Sequence, residues 1–373
     1  MASKTWNWQL KEWPNFSYKK EALEELEQQF SQKSGMILGA VKHIKDDEKN
    51  DLMIDIMSDE AMKTSEIEGE YLNRDSIQAS IRKNLGIDAD KRKIPPAEFG
   101  IAEMMVDLYR NYQQPLTHET LFEWHRMITN GRRDLHDIGG YRTHDDEMQI
   151  VSGHIGKQRV HFEAPPSSTM MREMDVFLKW MNDIPKNTLP LARAGIAHFH
   201  FINIHPFEDG NGRIGRAISE KSIAQSIGHP ALLSLSQTIQ LNKKSYYAAL
   251  EAHNGTCEIT DWLIYFGQSI LDAQEHTLKM LDFIIEKAKF FDQYGSALNE
   301  RQLKVIRRLF DAGYEGFTGG LSAENYITIA QTSPSTATRD LQHLTEKGIL
   351  LRTGERKGTR YLLNIKHNST FLK

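Results

Sequence analysis

A stretch of twelve residues, His205-Pro206-Phe207-Glu208-Asp209-Gly210-Asn211-Gly212-Arg213-Ile214-Gly215-Arg216, gathers a base, carboxylates, a glycine loop and two arginines. Pro206 disfavours a helical conformation at His205, so the apolar helix before it has to end there. Gly210-Asn211-Gly212 admits positive φ and leaves main-chain amides exposed. A new helix is expected to start near Arg213, supported by Ile214, Ala217 and Ile218. Successive amides at a helix start form a concave anion site suited to phosphate. Arg213 and Arg216 lie one turn apart, so both guanidinium groups can approach one anion. Asp209 stands at the loop's edge, where a hard-cation ligand for a phosphate-bound Mg²⁺ would be useful. His205 titrates near neutrality in the ordinary case, as a general base requires.

The string resembles the defining motif of the Fic family, HPFx(D/E)GNGRxxR, and matches every specified position. His198 and the apolar helix before His205, Gly140-Tyr141-Arg142 and Pro165-Pro166 extend the likeness, with a Fic core over about 97–255. The resemblance implies a mainly helical fold and transfer of AMP from ATP to a Tyr, Ser or Thr hydroxyl of a protein. It makes His205 the base, Asp209 the Mg²⁺ ligand, and Gly210, Asn211 and Gly212 the pyrophosphate loop. Arg213 and Arg216 neutralise the leaving group, while Glu208 holds the variable position and carries no implied role. Tyr246, Tyr247 and Asn254 resemble adenine-side residues. Residues 147–163 resemble the family's flap, which holds a target segment by strand pairing.

Thr64-Ser65-Glu66-Ile67-Glu68-Gly69 is similar to the family's inhibitory motif (S/T)xxxE(G/N). Thr64 and Glu68 share a helix face, and Gly69 is placed to end the helix. By that resemblance Glu68 pairs with Arg216 and takes space needed by the γ-phosphate; removal of AMP as well as its transfer is open to such a site. An arginine cannot pair fully with a carboxylate and a phosphate in one geometry.

The elements that must position these groups read mostly as helix. Helical spacing is expected over 17–46, 51–68, 96–113, 117–129, 168–183, 187–203, 213–227, 243–253, 258–289 and 297–312, with Thr117 as an N-cap. Residues 147–163 alternate like strands, and Ser152-Gly153 with Gly156-Lys157 supplies turn chemistry, predicting a β-hairpin. Residues 297–365 predict a winged helix-turn-helix: helices at 297–312, 322–330 and 335–347, then two strands around a basic wing. Thr336, Thr338, Arg339 and Gln342 are its groove-facing candidates, and Arg356, Lys357 and Arg360 its phosphate contacts. The domains expected are 1–96, an N-terminal helical region; 97–292, the catalytic core and following helix; and 293–373, the winged helix.

Charge supports the last boundary. The chain of 373 residues has a net charge of −4, but residues 297–373 hold 12 basic against 7 acidic residues, a net +5 that leaves −9 for the rest. Lone Cys257 excludes an intrachain disulfide framework and multi-cysteine metal sites. No apolar run approaches a membrane span and no secretory h-region opens the chain, so a soluble cytoplasmic protein is expected. ATP is the expected small-molecule partner, with a target protein along 147–163; a homodimer and DNA bound through the winged helix are further partners open to the sequence. The competing reading is a DNA-binding transcriptional regulator whose Fic-like core senses nucleotide. A metallohydrolase built on His198, His200 and His205 lacks H-E-x-x-H spacing, and no G-K-[ST] follows the glycines as a P-loop needs.

Overall fold

The computed structural model describes residues 5–87, 93–153, 159–183, 188–313 and 319–365. It divides into two compact units, residues 1–39 with 49–277 and residues 40–48 with 278–373. The chain is mainly helical, with small antiparallel hairpins.

Along the chain the first helices are α1 (Glu24–His43), α2 (Asp46–Ile67), α3 (Arg74–Leu85), α4 (Pro96–Asn111) and α5 (His118–Ile128). A two-stranded hairpin follows, β1 (Gln149–Ser152) with β2 (Arg159–Glu163), and then α6 (Met170–Asp183), α7 (Pro190–Ile204) and α8 (Asn211–Ile227). Two shorter helices, α9 (Leu235–Leu241) and α10 (Lys243–His253), lead to the long α11 (Thr260–Tyr294).

Thr117 caps α5 as expected, its side-chain oxygen accepting from the Thr120 N–H. The interval 70–95, assigned no element from its spacing, holds α3 with Asn73 as N-cap and Gly86 at its end; only three apolar residues, Ile77, Ala79 and Ile81, are buried there, a thin periodic signal. Helix α9 also went unassigned, and at seven residues it spans barely two turns.

Helix α7 buries 13 of its 15 residues, which makes it the central helix of this unit rather than a surface one. It packs most extensively on α8. Phe199, Phe201, Ile204, Phe207, Ile214 and Ile218 are all fully buried between and around the pair. Removing each such side chain from water contributes about 1.5–3 kcal/mol, so the loop joining α7 to α8 is anchored at both ends in core.

The hairpin pairs Gln149 with Glu163, Ile150 with Phe162, Val151 with Val160 and Ser152 with Arg159, with a register irregularity between Ile150 and Val151. The predicted Gly156-Lys157 turn lies outside the described residues. An N-terminal strap holds the hairpin's base: Trp8 Nε1 donates to the Glu163 carbonyl, and Trp6 meets Phe162 edge to face. Asn7 Nδ2 donates to Asn203 Oδ1 on α7, and the Asn7 N–H to the Asn254 carbonyl.

The smaller unit has its own core around α12 (Glu300–Phe310), α13 (Ala323–Ala330) and α14 (Pro334–Glu346), with β3 (Leu350–Thr353) paired antiparallel to β4 (Arg360–Leu363). Leu321 bridges to Tyr361 beside β4. Buried Asp340 ties the helices, accepting from Tyr326 Oη at 2.9 Å and from Arg301 Nε at 3.3 Å. Ser333 caps α14, its hydroxyl accepting from the Thr336 N–H.

Candidate active site

The loop between α7 and α8 closes on itself. His205 takes the left-handed conformation, φ 52°, at the end of α7, which turns the chain sharply before Pro206. Asn211 then staples the loop: its Oδ1 accepts from the Phe207 N–H and its Nδ2 donates to the Phe207 carbonyl, both buried. With Gly210 left-handed as N-cap and Asn211 so fixed, α8 starts at Asn211, two residues before the expected start. The first-turn amides of α8 are therefore those of Asn211, Gly212 and Arg213, and a helix leaves such N–H groups without intrahelical partners.

Arg142 braces the loop from outside. It is buried; its Nε donates to the His205 carbonyl, its Nη2 to the Pro165 carbonyl and its N–H to the Pro206 carbonyl. Burial pulls its guanidinium down to about 10, still charged at neutral pH. One side chain thus ties the Gly140–Arg142 and Pro165–Pro166 segments, singled out in the sequence, to the loop. Glu208, given no role from the sequence, accepts the N–H groups of His136 and Asp137.

His205 Nδ1 lies 3.2 Å from the Ile202 carbonyl, a contact that favours the Nδ1–H tautomer and leaves Nε2 as the acceptor. Burial, reinforced by Arg142, holds the ring down to about 4, so it is neutral near pH 7. Tyr246 is buried, with its hydroxyl on His198 Nε2 at 2.8 Å. Tyr247 meets it edge to face and is 41% exposed. Asn254, also buried, donates from Nδ2 to the His161 carbonyl of β2, so it joins the hairpin to the end of α10. Tyr246 and Tyr247 lie close enough to the Arg216–Glu68 pair to feel both charges, and Tyr246 shares a side-chain hydrogen bond with Arg216. Asn254 instead bonds the hairpin through its side chain and the N-terminal strap through its carbonyl.

Two acidic side chains from the end of α2 reach the arginines. Glu68 Oε1 lies 2.7 Å from Arg216 Nη2, and Thr64 holds the same guanidinium through its hydroxyl at 2.7 Å and its carbonyl at 2.9 Å. Arg216 is fully buried; burial alone would lower its pKa, but Glu68, with Tyr246 and Tyr247, more than reverses this and the net shift is upward. The Glu68 carboxylate lies against Gly212, where a Cβ would stand 2.0 Å from Oε1. Absence of a side chain, rather than an unusual φ, is what Gly212 provides. Gly69 does need its left-handed φ of 88°, which ends α2 and swings Glu70 toward Arg213, at 2.7 Å. The end of α2 is clipped to the neighbouring helices: Lys243 Nζ donates to the Ile67 carbonyl and Gln240 Nε2 to Glu66.

Asp209 is held by Arg132 Nη1 at 2.6 Å, by Arg213 Nη2 at 3.5 Å and by the Gly210 N–H. Burial raises its pKa, yet these cations bring it below the ordinary carboxylate value. Glu70 and Arg132 are the site residues that spacing did not point to. Glu70 meets Arg213 across 143 positions and Arg132 meets Asp209 across 77, and such pairing leaves no local signature. His198 and His200 are buried among aromatic rings, and among the described residues no group of three or more His, Cys, Asp or Glu could hold a metal ion.

Fold and loop together define a mainly helical protein in which the start of one helix, α8, follows a buried, neutral histidine. Residues 115–221 match the Fic/DOC family, and residues 6–87 match a domain of unknown function, DUF4172. The protein adenylyltransferase fic-1 of Caenorhabditis elegans is 28% identical over 137 residues, 36% of this chain and 24% of that protein. The protein adenylyltransferase Fic of Drosophila yakuba is 30% identical over 166 residues, 44% of this chain and 29% of the relative. The chain thus spans about a quarter of the curated relatives it matches. A Fic family protein from Desulfovibrio desulfuricans G20, solved as a crystal structure, is similar at TM-score 0.52 and 21% identity over 92% of this chain and 95% of that one, a likeness of fold. The family match and these relatives together support a Fic-type region within the chain, over residues 115–221. No helix among the described residues is long and apolar enough to cross a membrane.

Proposed function

We propose that the chain is a protein adenylyltransferase held in check by Glu68. In this reading a Tyr, Ser or Thr hydroxyl of a target protein, or of the chain itself, attacks the α-phosphorus of ATP. The new bond is O–Pα; the bond from Pα to the bridging oxygen breaks, pyrophosphate leaves, and the hydroxyl proton passes to His205 Nε2. The first-turn amides of α8 receive phosphate oxygens, and Arg213 and Arg216 balance the charge that collects on the leaving group. Asp209 is the loop carboxylate that would hold Mg²⁺. A phosphate-borne Mg²⁺ needs only one or two protein carboxylates, and Asp209, partly exposed, fits that requirement once Arg132 yields its oxygen. When bound, the ion would withdraw charge from the phosphates.

The observation that carries the brake is the Glu68–Arg216 pair seated over Gly212. A carboxylate in that place excludes a phosphate from the same guanidinium. The β1–β2 hairpin supports docking of the target, since strands of a two-stranded sheet offer main-chain groups for strand pairing. The test uses ATP labelled on either the α- or the γ-phosphate, with Mg²⁺ and lysate proteins. Glu68→Gly is expected to raise covalent α-label at least tenfold, and His205→Ala in that background to remove it. γ-Label would mean a kinase, and no α-label in any chain would sink the reading.

A second reading rests on the smaller unit, for which we propose a winged helix. Helices α13 and α14 are joined by three residues with Gln331 left-handed, and Thr338, Arg339, Gln342 and Arg356 are exposed. A DNA-binding regulator would bind a specific duplex with an affinity that falls steeply with salt. Absence of that slope would leave this unit as a protein-contact module.

A further inference from the structure

Building on the adenylyltransferase reading, we infer that Glu70 and Arg132 form a second latch, closing the Arg213–Asp209 half of the phosphate site as Glu68 closes the Arg216 half. The latch is a ring of alternating charge. Glu70 Oε2 holds Arg213 Nη1 at 2.7 Å, Arg213 Nη2 faces Asp209 Oδ2 at 3.5 Å, Asp209 Oδ2 takes Arg132 Nη1 at 2.6 Å, and Arg132 Nη1 returns to Glu70 Oε1 at 3.8 Å.

Burial separates the members by function. Arg213 is 2% exposed, whereas Glu70, Asp209 and Arg132 are each about one-third exposed. A buried guanidinium requires an anion, because an unpaired charge out of water costs several kcal/mol. Here the anion is Glu70, carried on a segment that ends α2 and then leaves it. Besides Glu70, Arg213 has the longer Asp209 contact and the Ile128 carbonyl, both at 3.5 Å, and its Nε is buried without a partner. Replacing Glu70 by a phosphate oxygen would keep the charge balance and add a donor–acceptor pair.

Arg132 does the complementary thing for Asp209. Its guanidinium lies where a cation belonging to a phosphate chain would have to meet that carboxylate. Arg132 is also anchored outward, with Nε and Nη2 on the two oxygens of Asp134 at 2.8 and 2.6 Å. It therefore has a place to stay when Asp209 releases it. Glu68, Glu70 and Arg132 together imitate two phosphate oxygens and their counter-cation, so that with Asp209 three carboxylates face the guanidinium groups of Arg132, Arg213 and Arg216.

Glu68 and Glu70 flank one glycine, so a single displacement of the end of α2 would withdraw both carboxylates. Opening the Arg216 half alone leaves Arg213 engaged. That makes Glu68→Gly a partial release, with Glu70 still opposing the nucleotide.

The test measures ATP binding by calorimetry with Mg²⁺ in wild type, Glu68→Gly, Glu70→Gln and the double variant, alongside α-label transfer. Glu70→Gln keeps the side chain's shape and removes its charge. It is expected to tighten ATP at least fivefold in either background, the double variant binding most tightly. Arg132→Gln in the Glu68→Gly background is expected to lower the Mg²⁺ concentration for half-maximal ATP binding at least threefold. If Glu68→Gly tightens ATP while Glu70→Gln changes nothing in either background, the second latch is overturned and the Glu68 brake stands. Weaker ATP binding in Glu70→Gln overturns it too, as that result would make Glu70 a nucleotide contact. If none of the four chains binds ATP or transfers label, the adenylyltransferase reading falls and takes the latch with it.

Discussion

The α7–α8 loop and the end of α2 meet across the same two arginines but are held by different kinds of contact. The loop is held through its own main chain and by core: the Asn211 amide bonds main chain four residues away, Arg142 donates to the His205 carbonyl, and Phe207 is fully buried. The end of α2 is held by carboxylates paired to guanidinium groups 143 and 148 positions distant, each partly open to solvent. A ligand anion can replace a carboxylate at an arginine with no change in bond type, but nothing a nucleotide carries can replace the Asn211 staple. The loop is thus fixed scaffolding and α2's end an exchangeable cover.

The largest test of that contrast is chemical. In the Glu68→Gly background, His205→Ala is expected to cut transfer by roughly 10² to 10⁴-fold with the melting temperature little changed. A small loss would detach the histidine from the loop's function. Next comes Asn211→Ala, which leaves the Phe207 N–H and carbonyl buried without partners. It is expected to cost about 2–4 kcal/mol by urea titration, and a cost under about 0.5 kcal/mol would show the loop to be as exchangeable as its cover.

A third test concerns the scaffold's protons. Burial holds His198 and His200 down to about 3 and His125 and His205 down to about 4. Below about pH 6.5 the unfolded chain takes up protons that the folded rings refuse, so each histidine's contribution falls as pH falls through that window. Burial holds Glu27 up at about 7, and its contribution runs the other way, being lost as pH rises from about 4.5 to 7. The clean measurement is therefore a difference. His200→Phe, among Trp13, Phe16 and Phe177, is expected to flatten the acid side by up to about 1.4 kcal/mol per pH unit relative to wild type. Parallel curves would mean that His200 is protonated in the fold.

The smallest effect belongs to the cover's clip. Gln240→Ala frees one Glu66 oxygen and is expected to lower stability by less than about 1 kcal/mol, with a two- to threefold rise in basal transfer.

The contrast also explains what could be read from sequence. The loop is short-range, and its base, carboxylate, glycines and arginines stand within twelve residues, so spacing alone displays the arrangement. Thr64 and Glu68 were legible through one helix face, and the structure places both on Arg216. The staple by Asn211 was hidden because a side-chain amide closing its own loop looks like any polar loop residue. Glu70 and Arg132 were hidden for another reason, since their partners are fixed by tertiary packing; Arg142 was marked in sequence within Gly140-Tyr141-Arg142, but its hydrogen bonds to the His205, Pro206 and Pro165 carbonyls were not legible there. The main helices were legible, while α3 and α9 were missed for want of enough buried apolar positions to set a period.

The order in which the cover and the arginines occur along the chain has a consequence in time. Glu68 precedes Arg216 by 148 residues. At roughly 5–20 residues per second, a ribosome delivers the end of α2 about 7–30 seconds before the second arginine of the loop. Under the proposed reading, inhibition is older than activity in the life of each molecule. A nascent chain completes its catalytic loop with the restraint already waiting, so synthesis passes through no unrestrained stage.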